Sequence, residues 1–112
     1  MKNHLNVVLF SLIAATGATL LAGCNGTTGS DAKKIGVVLI GDETEGYSKA
    51  HIEGINEAAK ELNISDRLIY KYKIQETDDC KTAIDDLVSE DCGLIISNSY
   101  GHQDYMAPAA KA

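Results

Sequence analysis

Residues 34–47 read KIGVVLIGDETEGY, and this stretch decides the fold. Ile35-Gly36-Val37-Val38-Leu39-Ile40 is a short apolar run rich in β-branched residues. Such a run suits a strand covered on both faces, as in a parallel sheet. Gly41 and Gly46 bracket the loop that follows, and Gly can take the backbone angles of a tight strand-to-helix turn. Tyr47 then opens a helix. Ligands of open parallel sheets sit at the carboxyl ends of the strands. Asp42, Glu43, Thr44, Glu45 and Tyr47 therefore stand at the rim of any cleft. The loop carries three acids and no base, whereas a phosphate cradle points bare N–H groups at its anion. It is neither GxGxxG nor a P-loop. Two readings fit: a loop for a neutral or hydroxyl-rich ligand, or a solvated acidic turn.

Downstream, the strand–loop–helix plan repeats. The spacing predicts a helix over 48–62, with Ser48 as N-cap and a buried stripe of His51, Ile55, Ala58, Ala59 and Leu62. His51 reads as a partly buried structural histidine. Gly54 inside this pattern costs about 1 kcal/mol against Ala, which suggests close approach to the sheet. Residues 67–74, RLIYKYKI, alternate apolar and lysine and suit an edge strand. A polar loop over 75–79 leads to a helix over 79–90, capped by Thr77 or Asp78, with an apolar stripe of Cys80, Ala83, Ile84, Leu87 and Val88. Gly93 is expected as a left-handed stop. Residues 94–96 form the third strand and run into Ser97-Asn98-Ser99-Tyr100-Gly101-His102-Gln103-Asp104. A third helix covers 105–111, with Pro108 in its first turn.

The fold class is therefore α/β: a parallel sheet in β-α-β-α-β-α order with right-handed crossovers and strand order 2-1-3. That order sets the loops after strands 1 and 3 side by side. At residue 112 the chain stands within a helix and leaves strand 3 as an apolar edge. The expectation is a partial lobe over 34–112, the amino-terminal part of a larger protein.

Upstream, residues 1–23 read as a secretory signal, with Lys2 ahead of an uncharged apolar segment. It ends Leu21-Ala22-Gly23-Cys24, which resembles the bacterial lipobox. Cys24 is then the lipidation site. An uncleaved membrane anchor or an ordinary signal peptide would leave Cys24 unexplained. Each acyl CH₂ contributes about 0.8 kcal/mol on burial, and two or more chains anchor stably. Residues 24–33 are Gly/Ser/Thr-rich and read as a flexible tether.

The chain has 112 residues and a formal net charge of −6, enough for one small domain. An acidic chain lacks the electrostatic footprint for nucleic acid and is repelled by anionic lipid. Membrane attachment must then be covalent or inserted. Three cysteines make no disulfide framework. Cys80 and Cys92 flank a predicted helix and would lie roughly 18 Å apart, beyond disulfide reach. Neither CxxC nor HxxxH occurs, so no metal site is expected, and no cofactor is implied.

Catalysis needs a nucleophile, a base or a metal, and GxSxG and HExxH are absent. His102 near Ser97 and Ser99 suggests a Ser–His pair, yet all three share one loop and no orienting residue is evident. A binding cleft needs a few polar groups and aromatic walls. Tyr47 and Tyr100 offer flat faces, or else pack against their loops. Asp42, Asp104 and Asn98 offer acceptors, and Asn98 also a donor. Carboxylates suit a ribose diol or a purine N–H, and aromatics suit stacking. Ser97-Asn98-Ser99 fits ligand contact or backbone capping at the strand end.

At these residues the chain resembles the basic membrane protein family of substrate-binding lipoproteins, which includes the purine nucleoside receptors of ABC importers. The resemblance runs from the lipobox at Cys24 through KIGVVLIGDETEGYSKAHIEG to DDLVSEDCGLIISNSYGHQDYM. It implies a lobe like those of type I periplasmic binding proteins, one of two that close on a solute, with an aromatic at Tyr47 stacking on the nucleobase. The family often has Asn where Ser48 stands here, and Asp where Thr44 stands. Asp104 matches its acidic residue at the start of the third helix. Taken with the polar groups of the cleft, the expected ligand set is Asp42, Thr44, Tyr47, Ser48, Asn98, Tyr100 and Asp104. The implied protein is not an enzyme. It sits on the extracytoplasmic face of a bacterial cell membrane, with a permease and an ATPase as partners and a purine nucleoside, or a nucleoside-like or sugar-like solute, as ligand. A sensory lipoprotein or a nucleoside-acting enzyme are the alternatives.

Overall fold

A computed structural model describes residues 32–112. Residues 33–112 form one compact unit. The signal segment, Cys24 and most of the tether lie outside the described residues.

The unit is α/β. Strand β1 (Lys34–Val38) leads to helix α1 (Gly46–Glu61), and a 3-10 turn (Ser65–Arg67) enters β2 (Leu68–Lys71). Helix α2 (Asp78–Ser89) leads to β3 (Cys92–Ser97), and a second 3-10 turn (Tyr100–His102) enters α3 (Gln103–Lys111). The three strands are parallel in the order β2-β1-β3. Ile35 lies between Leu68 and Leu94, and Val37 between Tyr70 and Ile96.

Alternation along β1 gives the sheet its two faces. Val38 packs into a core with Cys80, Ile84 and Leu87 of α2, joined by Ile69, Ile95 and Met106. Burying each of the larger aliphatic side chains contributes about 1.5–3 kcal/mol. Gly36 faces the same helix: a Cβ there would stand 2.7 Å from the Leu87 side chain. Val37 and Leu39 are fully buried and alternate toward the opposite face, where the crossover geometry of a 2-1-3 sheet puts α1.

Several local expectations change. Helix α1 begins at Gly46, and its N-cap is Glu45 rather than Ser48. Its inward face is Ser48, His51, Ile52, Ile55 and Ala59, while Ala58 and Leu62 are exposed. Gly54 does not approach the sheet: beyond its chain neighbours and the backbone of its own helix, no atom lies within 4 Å of the position of its absent Cβ. Thr77 caps α2, accepting from the Asp79 N–H at 3.4 Å, and Val88 is exposed. The left-handed residue after α2 is Asp91, with φ 67°. Gly93 instead lies within β3, where Lys34 pairs with Cys92 and Ile35 with Leu94. It is the extra residue of a bulge, and a Cβ on it would meet the Lys33 side chain at 2.8 Å. Strand β2 is shorter than expected, because Lys73 takes φ 57°. Pro108 lies inside α3, past the first turn, so the Asp104 carbonyl loses its ordinary helical donor.

Helix α1 closes with Asn63 at φ 56°. The Asn63 N–H donates to Lys60 O and the Ile64 N–H to Ala59 O, the paired bonds of a Schellman stop.

Candidate functional site

The strand order reverses direction between β1 and β3, and ligands of open α/β sheets bind outside the carboxyl ends at such a point. Both loops there are tied by Asn98, which is nearly buried. Its backbone N–H donates to Val38 O at 3.3 Å and extends the ladder. Its side-chain oxygen accepts from the Ile40 N–H at 2.9 Å. Its amide nitrogen donates to Ser48 Oγ at 3.2 Å, and Ser48 Oγ also accepts from the Gly41 N–H at 3.1 Å. The Tyr47 hydroxyl donates to Asn98 O at 2.5 Å. Tyr47, Ser48 and Asn98 are therefore brought together, and Asn98 caps backbone groups beyond the strand end.

Glu45 sets the start of α1. Its two carboxylate oxygens accept from the Ser48 N–H at 2.6 Å and the Tyr47 N–H at 2.8 Å. The Ser48 side chain foremost, and then these two backbone bonds, hold its carboxyl below the usual glutamate value. Gly41 makes room for it, since a Cβ there would stand 2.5 Å from Glu45 Oε1. Close approach is what Gly41 supplies, because no described glycine has positive φ.

Asp42 and Thr44 serve each other. Asp42 Oδ1 accepts from the Thr44 N–H at 2.9 Å and from its hydroxyl. Asp42 Oδ2 pairs with Lys73 Nζ at 2.8 Å. The Lys73 ammonium and the Thr44 bonds bring the Asp42 carboxyl down to about 2, and Asp42 raises the Lys73 ammonium in turn. Lys73 was not singled out by the sequence, since nothing in a lysine signals a left-handed turn. Its backbone N–H reaches Gly41 O at 3.1 Å, and the Ile74 N–H reaches Leu39 O at 2.9 Å. The loop after β2 is thus laid against the loop after β1.

No protein-family model matches this chain, and no curated protein matches it.

The loop after β2 also holds the loop after β3. Glu76 Oε1 accepts from Ser99 Oγ at 2.5 Å and from the Gly101 N–H at 2.6 Å, bonds that lower the Glu76 carboxyl. His102 is fully buried and its Nε2 lies 2.8 Å from Ile74 O. A carbonyl only accepts, so Nε2 carries the proton. Its Nδ1 has no partner among the described residues. Ser99 and His102 are thus bonded to other groups and form no Ser–His pair.

Two aromatic faces remain open at this edge. Tyr47 is 56 % exposed, although its hydroxyl is fixed, and Tyr100 is 86 % exposed. His51 meets Tyr47 edge-on at 4.7 Å between centroids and donates from Nδ1 to Tyr47 O at 2.8 Å. Asp104 stands apart. It lines a groove between α2 and α3 with Lys81, Asp85 and Tyr105 and makes no hydrogen bond to the residues joined by Asn98. A second, apolar groove runs along β3 between Val88, Leu94 and Met106. Neither groove is lined by a residue of the loops that follow β1, β2 or β3.

Among the described residues no group of three or more His, Cys, Asp or Glu is arranged to hold a metal ion. Cys80 and Cys92 are free thiols, and burial raises both. No described helix is long and apolar enough to cross a membrane.

Proposed function

We propose that this chain supplies a binding lobe of a lipid-anchored, extracytoplasmic solute receptor of an ABC importer, with a purine nucleoside as the solute. The observation that carries the reading is the state of Tyr47. Its hydroxyl is bonded to Asn98 O while more than half of the residue is open to solvent. A ring fixed at one end loses little further freedom when a base stacks on it, which lowers the cost of binding. The position, at the edge between β1 and β3, is where the fold favours ligands. The loop carries three acids, of which Asp42 is paired with Lys73, and its remaining negative charge favours an uncharged solute with hydroxyls over a phosphorylated one. The lipobox at Cys24 supports attachment through acyl chains, and the resemblance to substrate-binding lipoproteins supplies the permease and the ATPase as partners. The role requires no catalytic group.

Uptake of radiolabelled adenosine, guanosine and uridine by a strain lacking this protein tests the reading. Reduced purine nucleoside uptake, restored by the full chain, is expected. Normal uptake contradicts the importer role, and nucleoside binding retained by the purified protein would then indicate a sensor.

A further inference from the structure

Tyr100 is the most exposed of the large hydrophobic residues at the carboxyl edge of the sheet, yet both of its neighbours are fastened, Ser99 through its hydroxyl and Gly101 through its N–H. Ser99 and Gly101, its two neighbours, donate to the same atom, Glu76 Oε1. The next residue, His102, is buried and donates to Ile74 O. We infer that Glu76 positions Tyr100, holding its turn so that the ring forms the second wall of the solute cleft; this rests on the nucleoside reading above.

Three observations support it. First, one carboxylate oxygen takes two donors that flank a single residue, so loss of Glu76 frees both ends of that residue together. Second, Gly101 has no space for a side chain: a Cβ would stand 2.5 Å from Glu76 Cδ and 2.8 Å from Glu76 Cβ. The turn and Glu76 are fitted to each other, and the clash involves the root of the Glu76 side chain as well as its end. Third, Glu76 stands on a fixed base, because Lys73 and Ile74 of its loop bond to Gly41 O and Leu39 O. An ionised carboxylate is the stronger acceptor for such bonds, and the lowered Glu76 carboxyl keeps it ionised. Solvent-exposed aromatics with ordered backbones are what a stacking ligand needs, since less freedom is lost on binding.

The test combines amide hydrogen exchange with a double-mutant cycle on the full chain. Exchange at Gly101 is measured in the wild type, Glu76→Ala and Glu76→Gln. Adenosine affinity is measured for these and for the same Glu76 variants carrying Tyr100→Ala. Glutamine retains one oxygen able to accept both bonds, so it separates positioning from mere bulk. The Gly101 amide should be protected in the wild type and in Glu76→Gln, and exchange about tenfold faster in Glu76→Ala. Adenosine binding should weaken about tenfold in Glu76→Ala, of the size of a lost aromatic stack, and recover in Glu76→Gln. Added to Tyr100→Ala, the Glu76→Ala change should cost less than about twofold more. An equal loss in both backgrounds overturns the inference, as does unchanged Gly101 exchange in Glu76→Ala. If the wild type binds no nucleoside, the solute reading falls and takes with it the claim of a cleft wall. Gly101 exchange then still decides whether Glu76 holds the turn.

Discussion

The Asn98 side chain donates to the buried hydroxyl of Ser48 across 3.2 Å, and together with the bond from the Tyr47 hydroxyl to Asn98 O it fastens the loop after β3 to the first turn of α1. The same carboxamide accepts from the Ile40 N–H. The rim between β1 and β3 is therefore a small polar network with few free groups. Asn98→Ala removes the acceptor of the Ile40 N–H and one of the two donors to Ser48 Oγ, which keeps its bond from the Gly41 N–H. Such a loss costs about 1–3 kcal/mol. Urea unfolding should show a lower midpoint with an unchanged m value. A midpoint equal to the wild type would mean that water replaces Asn98 at no cost.

Asp42 predicts an acid dependence. Its carboxyl is brought down to about 2 in the folded chain, from 3.8 for a free aspartate. A folded value below the unfolded one means that the contribution is complete above about pH 4 and is lost as the pH falls toward about 2. The Asp42 side chain is 14 % exposed, but its partner Lys73 is 69 % exposed, so added salt should weaken the effect. Unfolding free energy measured from pH 4.5 to 2 should fall less steeply in Asp42→Asn than in the wild type. Parallel curves would remove Asp42 from the account. Glu45 and Glu76, also lowered, add slopes of the same sign and remain in both proteins.

Two glycines should respond in opposite directions. Gly54 lies in the interior of α1 with open space around its Cβ position, so Gly54→Ala should stabilise by about 1 kcal/mol through helix propensity. Gly41→Ala must push the Glu45 carboxylate from the start of α1, and should destabilise. Thermal unfolding of the two variants checks both signs. Destabilisation by Gly54→Ala would show that the exposed position is covered by something else.

The parallel α/β plan was legible in the sequence because apolar runs of strand length alternate with amphipathic helices. Residues 35–40 carry the run, and the α2 stripe of Cys80, Ala83, Ile84 and Leu87 is buried as its spacing requires. Tyr47, Ser48 and Asn98 were legible as members of a rim, since a 2-1-3 order brings their loops together. What they do there was not. Ser48 looks like a cap because serine usually is one. The longer Glu45 side chain reaches two N–H groups instead, starts the helix earlier and turns Ser48 inward. The bulge at Gly93 and the left-handed Lys73 and Asp91 carry no distinctive residue pattern. Glu76 and Gly101 lie 25 positions apart in sequence, and only the packing of two loops reveals their bond.

The anchoring claim rests on Cys24. Cys24→Ser should move the protein from the membrane pellet to the soluble fraction, because no acyl chain can then attach. Continued pelleting after alkaline washing would mean that the apolar segment itself stays in the membrane.

The central claim is that Tyr47 forms the base-stacking wall of a nucleoside site. Calorimetric titration of adenosine, guanosine, inosine, uridine and ribose into the full-length receptor, and into its Tyr47→Ala and Tyr47→Phe variants, tests it most directly. Saturable binding of the purine nucleosides is predicted. Tyr47→Ala should weaken it by about 1–3 kcal/mol, the range of base–aromatic stacking, and Tyr47→Phe, which keeps the ring, by less. No nucleoside binding by the wild type, or equal affinity in wild type and Tyr47→Ala, would contradict the account.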